Sequence, residues 1–148
     1  MGTLRGVVAD DRAATRRVLA AVLTRCGLDN AGESADGQEL SEVIARSGAD
    51  VAVVTVPMAG LQDLASVSAL HRRHPHCRLV LVSPFRSLAA AARAAGATAL
   101  VADDDLPALV ALLSGLLPAQ PSATAAGSLG TVEDLPSPRP GLSGVVAP

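Results

Sequence analysis

The 148-residue chain has no lysine, tryptophan or tyrosine, a single phenylalanine and two cysteines. Each scarcity removes a class of chemistry. Without lysine there is no Schiff-base nucleophile and no P-loop lysine to hold a phosphate. With Phe85 as the sole aromatic residue, stacking of bases on rings is not a plausible mode of nucleic-acid binding. A formal charge of −2 also offers no general attraction for a phosphate backbone. Cys26 and Cys77 form no metal or redox motif, and two thiols in an ordinary domain point to a reducing compartment. The apolar runs are broken by charge or proline before the ~18 residues of a membrane span. The first strand pattern begins too close to Met1 to leave room for a signal peptide. The expectation is a cytoplasmic protein with no membrane association.

What is present is aliphatic. Apolar residues make up 49% of the chain, so the core must be built of Val, Leu, Ile and Ala. Leu4–Ala9 reads as a strand ending in Asp10-Asp11. Arg12–Cys26 has helical spacing, with Ala14, Val18, Ala21, Val22 and Cys26 on overlapping inner stripes and Gly27 as the stop. Leu28–Glu33 is a weak second strand, and Asp36–Ser47 is a helix with Leu40, Val43 and Ile44 inward. Asp50–Val56 is apolar apart from Asp50 and the single hydroxyl of Thr55, as for a strand covered on both faces. Helices over Gln62–His74, Ser87–Ala95 and Leu106–Leu117 alternate with strands over Arg78–Ser83 and Ala97–Ala102. Five strand–helix repeats with short links predict an α/β fold: a five-stranded, doubly wound parallel (βα)5 sandwich of the flavodoxin-like type. Composition changes at residue 118. Residues 1–117 form the predicted domain, and 118–148, rich in Pro, Ala, Ser and Gly, read as a disordered tail or interdomain linker.

Ligands of open parallel sheets gather beyond the C-terminal strand ends. Those ends carry Asp10 and Asp11, then Thr55, then Ser83, then Asp103 and Asp104. Paired carboxylates suit a hard cation such as Mg²⁺, and equally suit the cap and dipole of the following helix. The four acids could together hold a divalent cation, or form a solvated acidic rim. His71, His74, His76 and Cys77 lie close in sequence, but Pro75 divides them, and the stretch reads as a solvated helix end. There is no Walker motif, no cobalamin-binding Asp-x-His-x-x-Gly and no Gly-x-Ser-x-Gly elbow, which leaves little for an enzyme reading.

The fragments "VVADD", "GESADGQEL", "MAGLQDL", "LHRRHPHCRLVLVS" and "AAGATALVADD" fall in an order that resembles the CheY-like receiver domain of response regulators, LuxR/NarL-type, over residues 4–117. That resemblance implies a Mg²⁺ site at Asp10 and Asp11 and a phosphoacceptor at the position of Thr55. It also implies a hydroxyl reporter at Ser83, a switch aromatic at Leu100 and a phosphate-pairing lysine at Asp103. Three of these positions depart from the family. Thr55 has no carboxylate to form an acyl phosphate, Leu100 is not aromatic, and Asp103 reverses the lysine's charge. At a few ångströms that reversal is worth on the order of several kcal/mol against a phosphoryl group. Mg²⁺ binding is then expected to be weak or absent and Thr55 to be a remnant.

The expected function is that of an atypical receiver domain, signalling without Asp phosphorylation through a protein partner or a homodimer. The family resemblance places that contact on the helix 4–strand 5–helix 5 face, here Leu88, Arg93, Leu100, Leu106 and Leu109. DNA would be reached only through an output domain beyond residue 148. The alternatives are a stand-alone adaptor for another signalling protein and, more weakly, a divalent-metal enzyme.

Overall fold

The computed structural model describes residues 3–117; the predicted tail at 118–148 lies outside the described residues. Five strands are laid down in the order β1 Arg5–Ala9, β2 Asp29–Ser34, β3 Val51–Thr55, β4 Arg78–Ser83 and β5 Ala99–Ala102. Five helices follow them in turn: α1 Ala13–Arg25, α2 Gly37–Ser47, α3 Leu64–Arg73, α4 Ala89–Ala94 and α5 Leu106–Leu116. All strand pairs are parallel, and the spatial order is β2-β1-β3-β4-β5. This is the predicted doubly wound sheet.

Strand periodicity divides the core. Val7, Ala9, Ala52, Val54, Leu79 and Leu81 face α2, α3 and α4, packing on Leu40, Ile44, Val67 and Leu70. Val8, Val51, Val53, Val80, Val82 and Val101 face α1 and α5, packing on Leu19, Leu23, Leu109 and Leu113. Because both faces are covered, β3 is buried at every position, which is why its sequence lacks polar alternation.

Local chemistry fixes the element ends. Asp36 caps α2 by accepting the Glu39 amide at 2.8 Å, while the Glu39 carboxylate reaches back to the Ala35 amide at 3.2 Å. Asp63 caps α3 and Asp105 caps α5 in the same way, through the Ser66 and Ala108 amides. Helix α3 therefore starts at Leu64 rather than Gln62. After β3 the chain turns through Pro57–Gly60, and the Ala59 carbonyl accepts the Gly37 amide at 2.8 Å. A Cβ on Gly37 would fall on the Gly60 carbonyl, so only glycine lets this loop rest on the start of α2.

Three sequence expectations change. The inner face of α1 is Leu19, Ala20, Val22 and Leu23, whereas Ala14, Val18 and Ala21 are exposed. Helical spacing gives a stripe but not the direction it faces. The helix expected over Ser87–Ala95 is a 3₁₀ turn at Arg86–Leu88 followed by only six α-helical residues. Leu109, expected on an outer face, is 1% exposed and lies in the core beneath α5. Its spacing from Leu113 puts both on the buried side of that helix.

Candidate functional site

The C-terminal strand ends converge as the topology requires, and the first acid is buried in their midst. Asp10 follows directly from β1 and has no exposed surface. Its carboxylate is hydrogen-bonded by two neighbours. Its Oδ1 accepts the Arg12 amide at 2.8 Å and the Arg12 Nε at 3.1 Å. Its Oδ2 accepts the Arg12 Nη2 at 3.1 Å and the Thr55 hydroxyl at 2.6 Å. The Arg12 fork is thus bidentate, the geometry in which guanidinium and carboxylate match best. Arg16 adds its Nη1 to the Asp10 carbonyl at 2.8 Å and leans toward Glu33 on β2 at 3.5 Å.

Burial pushes the Asp10 carboxyl up, but the hydrogen bonds from Arg12 and Thr55, with the Arg12 charge, outweigh it and hold it below its ordinary value. Arg12 is correspondingly pushed up by the same pair. The site therefore contains a charged, fully partnered carboxylate whose cation is supplied by the chain itself.

The remaining predicted residues do not join it. Asp11 points to the β3–α3 loop, accepting the Ala59 amide at 3.3 Å from an exposed position. Ser83 is buried, and its hydroxyl accepts the Phe85 amide at 3.1 Å, closing the turn after β4. Asp103 is exposed, with its amide on the Ser83 carbonyl at 3.1 Å. Asp104 pairs with Arg86 at 3.1 Å on the open surface. The postulated four-acid cluster is thus dispersed, and no group of three or more His, Cys, Asp or Glu residues able to hold a metal occurs among the described residues. Nor do the residues at the strand ends fit the Mg²⁺ that the receiver resemblance implies. Both Asp10 oxygens are occupied by protein donors, and Thr55 contributes no anionic ligand.

The "HRRHPHC" stretch is less solvated than expected. His74 is half-buried with Nε2 2.8 Å from the Ser41 hydroxyl of α2, and burial followed by the nearby Arg73 charge pushes its pKa down. His71 packs on Gly96. Burial pushes the Cys77 thiol up to about 12, so it is an inert core group. On the expected partner face, Leu88 and Leu106 are 36% and 42% exposed and Arg93 is exposed, but Leu100 is half-buried against the α2–α4 side of the core.

Sequence reasoning missed Arg12. The available signal was its position two residues after an acid at a strand end, where an Asp side chain readily accepts the backbone amide two residues on.

A five-stranded parallel sheet in this order, with an acid buried beyond β1, defines a CheY-like α/β protein. Residues 7–113 match the response regulator receiver domain, and the chain belongs to that family of two-component signalling domains. No curated protein sequence matches it. Among solved structures it is similar to the signal receiver domain of the response regulator NarL from Mycobacterium tuberculosis. There the identity is 26% and the TM-score 0.64, over 78% of this chain and 99% of that one. A LuxR-family two-component response regulator from Aurantimonas sp. SI85-9A1 superposes with a TM-score of 0.67 at 22% identity, over 77% and 87% of the two chains. CheY from Borrelia burgdorferi, solved in complex with CheX, BeF3 and Mg, gives a TM-score of 0.67 at 17% identity, over 78% and 90%. That CheY is bound to a protein partner, CheX. No helix among the described residues is long and apolar enough to cross a membrane.

Proposed function

We propose that this receiver domain signals without phosphorylation of its β3 terminus, through contacts with a protein partner or a second copy. One observation carries the reading: the Arg12 guanidinium and the Thr55 hydroxyl fill the Asp10 carboxylate from both sides. A phosphoryl group would need a carboxylate nucleophile at Thr55 and a cation between it and Asp10. The hydroxyl is instead already donated to Asp10, and the protein's own guanidinium already supplies that carboxylate with a cation. Asp103 adds a negative charge beyond β5 that opposes an incoming phosphate.

The test is incubation with acetyl phosphate and Mg²⁺ followed by intact mass. The wild-type chain is expected to show no adduct. Thr55→Asp alone is also expected to remain unmodified, because Arg12 and Asp103 are still in place. A phosphoryl adduct on the wild type would overturn the reading. The composition change at residue 118 supports a linker joining this domain to a further, DNA-binding output domain. Intact mass of the native polypeptide tests it: a mass near 14.8 kDa would favour the stand-alone adaptor instead.

A further inference from the structure

Near the C-terminal strand ends the sheet is not fully roofed. A groove of about 320 Å³ descends there to Val82 of β4 and Ala102 of β5, which form its floor. Its walls are Val18 and Leu19 on one side and Leu106 and Leu109 on the other. Helices on a covered sheet normally close over the strands beneath them, and here the small side chains of Ala14 and Ala102 leave a gap. The polar groups Arg12, Asp103 and Asp105 follow β1 and β5, so they stand together at the mouth. An apolar body with a few polar groups at one end is the composition of a small-molecule site, and the volume lies at the lower end of that class. The floor belongs to the sheet, beneath both helices, where a compact hydrocarbon group reaches and the flank of another helix does not.

The charges at the mouth select the ligand. The Arg12 guanidinium is committed to Asp10 through Nε and Nη2, so that pair is neutral as a unit. Asp105 uses Oδ1 to cap α5, 3.1 Å from the Ala108 amide. Neither Asp103 nor Asp105 forms a salt bridge among the described residues. Two carboxylates therefore stand over an apolar groove with their charge uncompensated by a close cation of the protein. From this we infer that the groove binds a small amphipathic cation. The ligand is an organic amine whose ammonium lies at Asp103 and Asp105 and whose hydrocarbon part rests on Val82, Leu19 and Leu109. An anion of the same shape is repelled by the same two acids. The charge at Asp103 that opposes a phosphoryl group thus favours an ammonium. Arg12 belongs both to the groove and to the Asp10–Thr55 network, so an occupied groove acts directly on the strand ends. The inference supplies the phosphorylation-independent reading with an input, and it rests on that reading for this role alone.

The experiment is titration of the full chain with phenylbutylamine, followed by calorimetry and amide correlation spectra. Phenylbutyrate serves as the same body carrying a carboxylate. The amine is expected to bind saturably at one site, shifting the amides of Val18, Val82, Ala102 and Leu106 and, through Arg12, that of Thr55. The carboxylate should bind at least about tenfold more weakly. Asp103→Asn combined with Asp105→Asn should weaken the amine by about tenfold, as expected for two solvent-screened charge contacts, and asparagine still caps α5. Ala102→Leu fills the floor and should abolish binding. If that variant fails to fold, Ala14→Phe at the exposed rim supplies the same block. No saturable shift with millimolar amine would overturn the inference. So would equal affinity for amine and carboxylate, unchanged affinity in the double asparagine variant, or shifts centred on another surface. A dimer in sedimentation whose contact excludes the amine would overturn it as well, by making a second copy the occupant. The titration uses no phosphoryl donor, so a silent titration and a phosphoryl adduct are separate failures.

Discussion

Thr55 is best understood through what it touches. A threonine at the end of a buried strand, taken by itself, reads as a lost acceptor, yet its hydroxyl donates to Asp10 at 2.6 Å and satisfies part of a carboxylate with no access to water. Thr55→Val keeps the shape and removes that donor. It should cost about 1.5–3 kcal/mol, the range for hydrogen bonds to charged groups, measured by urea unfolding. Arg12→Ala removes the two side-chain donors of the bidentate fork and their charge, while the backbone amide remains. The Arg12 side chain is 59% exposed, so water and salt screen much of the pair. The expected loss is therefore about 1–2 kcal/mol rather than the full cost of breaking a buried ion pair. A loss below the measurement error for both variants would show that the network contributes nothing to stability.

At the scale of elements, the loop after β3 and the start of α2 depend on one glycine. Gly37→Ala pushes a methyl group into the Gly60 backbone, where nothing can rotate away. It should destabilise by about 1–3 kcal/mol, as overpacking does, and raise the mobility of Pro57–Gly60 in hydrogen exchange. Helix α5 offers a second test. Leu109 and Leu106 are three residues apart, but Leu109 is 1% exposed and Leu106 is 42% exposed. Leu109→Ala should cost about 2–5 kcal/mol and Leu106→Ala less than about 1 kcal/mol in thermal or urea unfolding of the monomer. Equal costs would mean that α5 is rotated from the orientation described.

For the molecule as a whole, Asp10 sets a direction for the response to acid. Its pKa in the folded state lies below its ordinary value, so the unfolded chain binds the proton more readily. The stability contributed by the network is thus complete above the ordinary carboxylate range and is lost as pH falls through the folded value. Arg12→Ala raises the folded pKa and should move the acid-unfolding midpoint upward. A midpoint that stays in place or moves down would contradict the direction of the shift. Asp63, lowered by its hydrogen bonds to Ser66, contributes in the same sense from an exposed position. His74 works in the same direction as these carboxylates. Burial keeps it neutral in the folded state, so protonating it on acidification also favours unfolding.

The sequence determined the architecture because that information is local and periodic. Apolar runs bounded by Gly27, Gly48, Pro75 and Gly96 set five strand–helix repeats, and buried strands with no polar alternation required helices on both faces. It also determined the chemistry that is missing, since a threonine cannot become a carboxylate in any fold. Tertiary structure decided which way each stripe faces and which side chains meet. Spacing assigned Ala14, Val18 and Ala21 to the core of α1, but the packing of Leu19, Val22 and Leu23 against β1 and β3 rotated them outward. The four acids share one rim in sequence order, yet strand separation and the local pull of Arg12, Arg86 and the Ala59 amide take each in a different direction. The Asp10–Thr55 contact joins residues 45 apart in the chain, through the parallel pairing of β1 with β3, and no local pattern encodes that distance.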